Sequence, residues 1–234
     1  EGLVSRPYVS MTLRMMERFG AAPRVVGTDR FLVAPGRYTS CSYDVEPDAS
    51  TASYFLAAAA VAGRVQVLGL HRADALQGDV AFLDVLEAMG CRIEDESAGV
   101  RVTGPPALEG ITVDMAATPD TFMTLAAIAP LATSPVTVTG IGNVRFKESD
   151  RIAAMEENLG RTGVRTESGP DWMRVFPGTP HGATIDPHGD HRIAMAFAVL
   201  GLATPGIAVD DPACVAKTCP GFFDLWRTLE QGTG

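Results

Sequence analysis

Gly20, Gly90 and Gly160 stand 70 residues apart, and no other feature limits so strongly what this chain can fold into. Each ends a helical pattern, over residues 8–19, 80–89 and 152–159, in the place of a C-cap glycine. After each comes an alternating pair of short strand patterns, whose second members are 31–33, 100–102 and 173–175. A second column is Asp48, Asp120 and Asp190, spaced by 72 and 70 residues. Each of these precedes a small-residue helical run and then a strand pattern, at 65–67, 136–138 and 207–209. Such a period marks an array of like α/β units. The unit reads Asp, helix, strand, loop, helix, strand, strand, and three copies fit from Asp48 onward, the last stopping in its second helix near Leu229. Residues 1–46 supply only the back half of a unit. A helix beginning at Ser5-Arg6-Pro7, with nothing before it to pack against, reads as the end of an earlier domain. The chain is therefore expected to be truncated at its N-terminus, with a domain boundary near Glu46-Pro47.

The 234 residues are 46% hydrophobic, ample for a core. The longest apolar stretches, 55–62 and 122–132, fall short of a membrane span, and no basic-then-apolar signal opens the chain, so a cytoplasmic protein is expected. A net charge of −9 argues against a nucleic-acid or anionic-membrane surface, since both need a basic face. Cys41, Cys91, Cys214 and Cys219 lack CxxC spacing and read as buried free thiols. Met11, Met15 and Met16 read as core. Asp44, Glu46 and Asp48 read as a solvated hinge rather than a cation site.

Chemistry concentrates at residues 143–151, where an apolar run ends and five charged side chains crowd into seven residues. The stretch closes a strand pattern and opens a helical one, so its charges are expected at a helix N-terminus. Unpaired N–H groups and the positive end of the macrodipole favour an anion there, with Arg145, Lys147 and Arg151 adding fixed charge. Glu148, a carboxylate among cations, is a candidate for proton transfer. Asp190-His191-Arg192 and Lys217 mark further helix starts with basic groups, and a threefold repeat could point them at one face. Of the 19 Lys and Arg residues only Lys147 and Lys217 are lysine, which suits positions needing a compact, rotatable donor. Gly140-Ile141-Gly142 has Arg145 where a dinucleotide fingerprint needs its third glycine. His181, His188, Asp190 and His191 match no helical zinc spacing, so no metal is expected.

Five stretches in collinear order, DASTASYFLAAAA at 48–60, PDTFMTLA at 119–126, NVRFKESDR at 143–151, GDHRIAMAF at 189–197 and DPACVAKTCP at 211–220, resemble the 5-enolpyruvylshikimate-3-phosphate synthases, or 3-phosphoshikimate 1-carboxyvinyltransferases. The resemblance implies two similar domains, each an inside-out α/β barrel of three βαβαββ units, with the active site in the cleft between them. By it, residues 1–46, with LVSRPYVSMTLRMM at 3–16, are the C-terminal end of an otherwise missing N-terminal domain, and residues 47–234 form the C-terminal domain. The family's early Lys-Ser and Asn-Gly-Thr motifs, first-domain arginines and Ser-Ser-Gln segment are not in the sequence. Ile193 stands where the family usually has Met, and Cys219 where it usually has Phe; both replace apolar packing groups.

The same resemblance implies that Ser5, Tyr8, Asp120, Asn143 and Lys147 hold shikimate 3-phosphate, and that Arg151, Arg192 and Lys217 bind phosphoenolpyruvate. Asp120 and Glu148 match the proton-transfer pair, with His191 in support. No metal or organic cofactor is implied, and the complete protein is expected to be a monomer. The chemistry suits the residue types: a C5 hydroxyl loses a proton as it attacks C2 of the enol, C3 gains one, and the adduct then loses phosphate. Two carboxylates in different electrostatic settings can divide those transfers, while cations neutralise phosphate and carboxylate. The nearest alternative is the sister transferase acting on UDP-N-acetylglucosamine. From another class, the chain alone would be a non-catalytic anion-binding fragment, because half of the cleft is absent.

Overall fold

Three helical runs in this sequence carry little or no charge along their length, and a helix that is apolar on every side has to be interior. The computed structural model describes Leu3 and residues 5–231. In chain order α1 (Arg6–Arg18), β1 (Arg24–Val26) and β2 (Arg30–Leu32) come first, then α2 (Ala49–Ala62), β3 (Arg64–Leu68), α3 (Phe82–Ala88), β4 (Arg92–Glu96) and β5 (Gly99–Thr103). There follow β6 (Thr112–Asp114), α4 (Phe122–Ile128), β7 (Val136–Thr139), α5 (Arg151–Arg161), β8 (Thr166–Ser168) and β9 (Met173–Val175). The last are β10 (Thr184–Ile185), α6 (His191–Ala203), β11 (Ala208–Val209) and α7 (Phe222–Gln231).

The apolar runs are α2, α4 and α6, and they pack against one another at the centre. All of α4 is buried, and Ser53 of α2 meets Thr124 of α4 at 3.0 Å, so these two buried hydroxyls partner each other. The strands lie outside. In β7 and β9 every second residue is buried, the pattern of a sheet with one face on the core and the other toward solvent. Helices inside and sheets outside make the α/β architecture expected from the resemblance. Phe222 and Trp226 of α7 stack at 5.2 Å and reach Phe55 of α2 at 5.7 and 5.4 Å, closing the last unit onto the first.

The repeat is unevenly complete. The middle unit has the whole βαβαββ order, with β6 and β7 parallel, β7 and β9 antiparallel, and β8 at the edge. The first unit forms the antiparallel sheet β3-β5-β4 but has no leading strand among the described residues. Its approach segment is held otherwise: the Glu46 carboxylate accepts the backbone N–H groups of Leu76 at 2.9 Å and Gln77 at 3.1 Å, so it is a clamp, not a solvated hinge. The third unit pairs β10 with β11 in parallel and ends in α7.

The glycine column also needs correcting. Gly20, Gly90 and Gly163 each follow a helix with φ of 84°, 97° and 81°, and each closes the same pair of terminal hydrogen bonds. For the last these are Gly163 N–H to Gly160 O and Val164 N–H to Leu159 O, both 3.0 Å. Gly160, expected to be the cap, lies inside α5, which runs to Arg161, two residues past the end the apolar spacing suggested. Two burial expectations also fail. α1 has no buried residue, and Met11, Met15 and Met16 line a cavity of about 470 Å³ with Phe19 and Tyr38, because no described element covers that face. Cys91 is buried, but Cys41 is exposed and Cys214 and Cys219 are half-buried.

Gly160 and Gly163 should therefore respond oppositely to substitution. Gly160 is exposed, and a Cβ there would meet nothing within 4 Å, so Gly160→Ala should raise stability by up to about 1 kcal/mol through helix propensity. Gly163→Ala forces a left-handed alanine and brings its Cβ to 3.0 Å from the His181 ring, and should cost about 1–2 kcal/mol. Urea unfolding of the two variants checks the pair.

Candidate active site

Asp150 begins the construction. Its carboxylate caps α5 by accepting the Ala153 N–H at 3.1 Å, and Arg145 holds it in place at 2.7 Å while also donating to the Gly169 and Pro170 carbonyls. Arg145 is thus a scaffold for the loop, not one of the cations expected to meet an anion. Capping fixes Arg151 as the first residue of the helix, and its side chain, 1% exposed, points inward. There each part of the guanidinium meets a different carboxylate: Nε donates to Asp190 at 2.8 Å, Nη1 to Asp120 at 2.9 Å, and Nη2 to Glu148 at 2.6 Å.

Two of these carboxylates, Asp120 and Asp190, belong with Asp48 to the repeated aspartate column, and the three aspartates of that column are used differently. Asp48 and Asp190 cap their helices, accepting the N–H groups of Thr51 at 3.1 Å and Arg192 at 2.9 Å. Asp120 sits in the 3-10 turn Pro119–Thr121 ahead of α4 and caps nothing. It takes Arg151, Arg192 at 2.9 Å, Lys147 at 3.8 Å and the Tyr8 hydroxyl at 3.3 Å. Glu148 lies in the loop before α5, between Arg151 and Lys217. Because Arg151 joins the start of α4 to the cap of α6, and Tyr8 links Asp120 to the Asp79 that Ser50 of α2 contacts, all three inner helices begin at this one end.

Asp120, Glu148, Lys147, Arg151, Arg192, Lys217 and Tyr8 therefore converge as expected. The expectation of a bare, anion-ready helix N-terminus is not met: the Ala153 N–H is already bonded to Asp150, and every cation already faces a carboxylate. An incoming anion has to compete for them. Ser5 and Asn143 sit together, Asn143 Nδ2 donating to Ser5 Oγ at 3.2 Å, with the Asn143 side-chain oxygen buried and without a partner among the described residues. His191 is buried beside Asp190, its Nδ1 without a hydrogen-bond partner among the described residues. Arg192 and the fully buried Tyr54 lie near each other, and among the described residues neither Arg192 Nη1 nor the Tyr54 hydroxyl has a partner within hydrogen-bond distance. His181 and His188 are elsewhere, His188 within 3.2 Å of Glu157. Among the described residues no group of three His, Cys, Asp or Glu side chains is arranged to hold a metal, and no helix is long and apolar enough to cross a membrane.

Electrostatics separates the groups. Burial acts to raise the Glu148 carboxyl but is outweighed by the Lys217 hydrogen bond, a backbone hydrogen bond and the Arg151 charge, which hold it down to about 2. For Asp120, too, burial pushes upward and is outweighed, here by Arg192, Arg151 and Lys147, so it lies below the usual carboxylate range. Burial, reinforced by Arg192, lowers the His191 imidazole, which favours its neutral form. Asp79 and Ser50 were not singled out by the sequence. An aspartate between Gly78 and an apolar run looks like any helix start, and nothing local shows that it reaches Tyr8.

The family described as EPSP synthase (3-phosphoshikimate 1-carboxyvinyltransferase) matches residues 1–226. The chain is 48% identical over 232 residues to a 3-phosphoshikimate 1-carboxyvinyltransferase of Nostoc punctiforme, covering 98% of this chain and 54% of that protein. It is 46% identical over 230 residues to the protein of the same name from Methanosphaerula palustris, covering 98% and 53%. A solved EPSP synthase from Acinetobacter baumannii superposes with a TM-score of 0.80 at 28% identity, over 93% of this chain and 53% of that one. The chain thus spans about half the length of the curated relatives it matches.

The depressed Glu148 carboxyl has a consequence for acid stability. A folded value of about 2 against an ordinary 4.5 contributes stability that is fully present above pH 4.5 and is lost as pH falls through 2. Glu148→Gln should therefore flatten the fall in unfolding free energy between these limits, read from urea unfolding at a series of pH values.

Proposed function

We propose, on the premise that this chain belongs to the EPSP synthase family, that it supplies one half of a cleft in which the enolpyruvyl group of phosphoenolpyruvate passes to the 5-hydroxyl of shikimate 3-phosphate, with release of phosphate. On this reading residues 47–234 are the C-terminal domain, residues 1–46 end the N-terminal one, and the complete protein is a cytoplasmic monomer that serves chorismate and aromatic amino-acid synthesis. Its partners are the two small anionic substrates. The relatives' names favour this over transfer to UDP-N-acetylglucosamine.

The observation that carries the reading is the placement of Asp120 and Glu148 on two arms of one buried guanidinium. Asp120, with Arg192, Lys147 and Tyr8 around it, is the acceptor of the hydroxyl proton, and Ser5, Tyr8, Asn143 and Lys147 hold shikimate 3-phosphate beside it. Glu148 exchanges a proton with C3 of the enol, while Arg151, Arg192 and Lys217 take the phosphate and carboxylate of the donor, with His191 in support. A carboxyl held near 2 is ionised at neutral pH and has no proton to give, and the same contacts remedy this. When the donor's anionic groups draw Arg151 and Lys217 away and set negative charge beside Glu148, its proton affinity rises toward the range a general acid needs.

Two outcomes test this. The chain alone should bind the anionic substrates without useful turnover, and joining it to the N-terminal half of a relative should restore phosphate release, because closure of both halves excludes water and completes the charge clamp. In that completed enzyme Glu148→Gln should leave both KM values within a few fold while kcat falls about a hundredfold or more, with solvent deuterium no longer exchanging into the donor methylene. Exchange and turnover like the parent's would leave Glu148 a structural ion-pair partner.

A further inference from the structure

Of the buried carboxylates among the described residues, Asp79, Asp120 and Asp190, only Asp79 has no salt bridge. It stands in the 3-10 turn Gly78–Ala81 that leads into α3, and its partners are hydroxyls: Ser50 of α2 donates to it, and the Tyr8 hydroxyl lies 3.3 and 3.2 Å from its two oxygens. The same Tyr8 hydroxyl lies 3.3 Å from Asp120 Oδ2. One phenolic hydrogen thus faces two carboxylates and cannot satisfy both. The arrangement is tightly built, since a Cβ on Gly78 would come within 2.4 Å of the Pro7 side chain, one residue before Tyr8. Burial raises both the Asp79 carboxyl and the Tyr8 phenol, and the Asp120 charge raises each further. The groups facing Asp79 are Tyr8 from α1, Ser50 from α2, Asp120 ahead of α4 and the more distant charge of Arg192 from α6. Those facing Asp120 are Tyr8, Lys147, Arg151 and Arg192.

We propose that Asp79 is a positioning residue for the proton-accepting step, acting on Asp120 through Tyr8. While Asp120 is ionised, the two carboxylates share the Tyr8 hydrogen. When Asp120 takes the proton of the acceptor hydroxyl, one O–H bond breaks on the substrate and one forms on Asp120. The Tyr8 hydrogen then turns to Asp79, and the Tyr8 oxygen accepts from the newly protonated Asp120. No proton leaves Tyr8, and the trio passes from two negative charges to one. Asp79 therefore raises the affinity of Asp120 for that proton, against Arg151, Arg192 and Lys147, which lower it. The inference rests on the reading of Asp120 as the proton acceptor.

The coupling is tested on this chain by following the Asp79 and Asp120 carboxyl carbons by NMR through a pH titration. Both signals should move in shared steps, as coupled sites do. Asp79→Asn should lower the Asp120 midpoint by about one pH unit, the effect of removing a neighbouring like charge. An unmoved midpoint overturns the proposal. Should Asp79→Asn not fold, Tyr8→Phe gives the same decision: both midpoints move if Tyr8 is the bridge, and the proposal fails if neither does. In the enzyme completed with an N-terminal half, the acid limb of kcat should shift down with the Asp120 midpoint in Asp79→Asn, with KM for phosphoenolpyruvate unchanged. A coupling seen by NMR with an unmoved limb removes Asp79 from the reaction. Failure of the functional reading itself appears separately, as no turnover by the completed parent.

Discussion

Arg151 is the interaction on which the rest depends. A guanidinium at 1% exposure is tolerable only because its donors are answered, and here three carboxylates answer them from three parts of the chain. Removing one partner strands charge in a place water does not reach, so the site cannot relax piecemeal. The same pairing sets the geometry of the fold, since the carboxylates it gathers stand at the starts of α4 and α6. Function and architecture therefore meet in one side chain. The charges gathered at this one end are the ones that hold the inner helices in register.

A repeated fold makes this economical. Each unit begins an inner helix with an aspartate, and the two that cap show what the position does by default. At Asp120 the 3-10 turn takes over the start of the helix, and the carboxylate, relieved of capping, turns to Lys147 and Arg151 of its own unit, Arg192 of the next and Tyr8 of α1. A capping position thus becomes a gathering point for charged side chains through a change in the local backbone, with no change of residue type.

Much of this was legible from the residues. The strand at 173–175 coincides with β9, and the helical runs after Asp48, Asp120 and Asp190 are the three interior helices, because apolar residues on all sides and two-residue alternation have few alternative fates. The true cap glycine was not legible, because Gly160 kept a regular spacing while Gly163 carried the backbone conformation. Arg145 was misread for a related reason: composition counts a charge, but only the fold shows whether it points to the cleft or to its own loop. The partnership of Asp79 with Tyr8 spans 71 residues and leaves no mark in either neighbourhood. Long-range polar contacts of that kind have no period and no local propensity, so sequence patterns do not carry them.

The choice of lysine has a consequence for handling the protein. Lys147 and Lys217 are its only lysines, and they face Asp120 and Glu148 from two sides of the same guanidinium. Apart from the α-amino group, every primary amine on the chain therefore borders this one cluster of charges. An acylating or reductively alkylating reagent would then act as a reporter confined to one locality, and protection from it would register occupancy of that cluster without any background from other lysines.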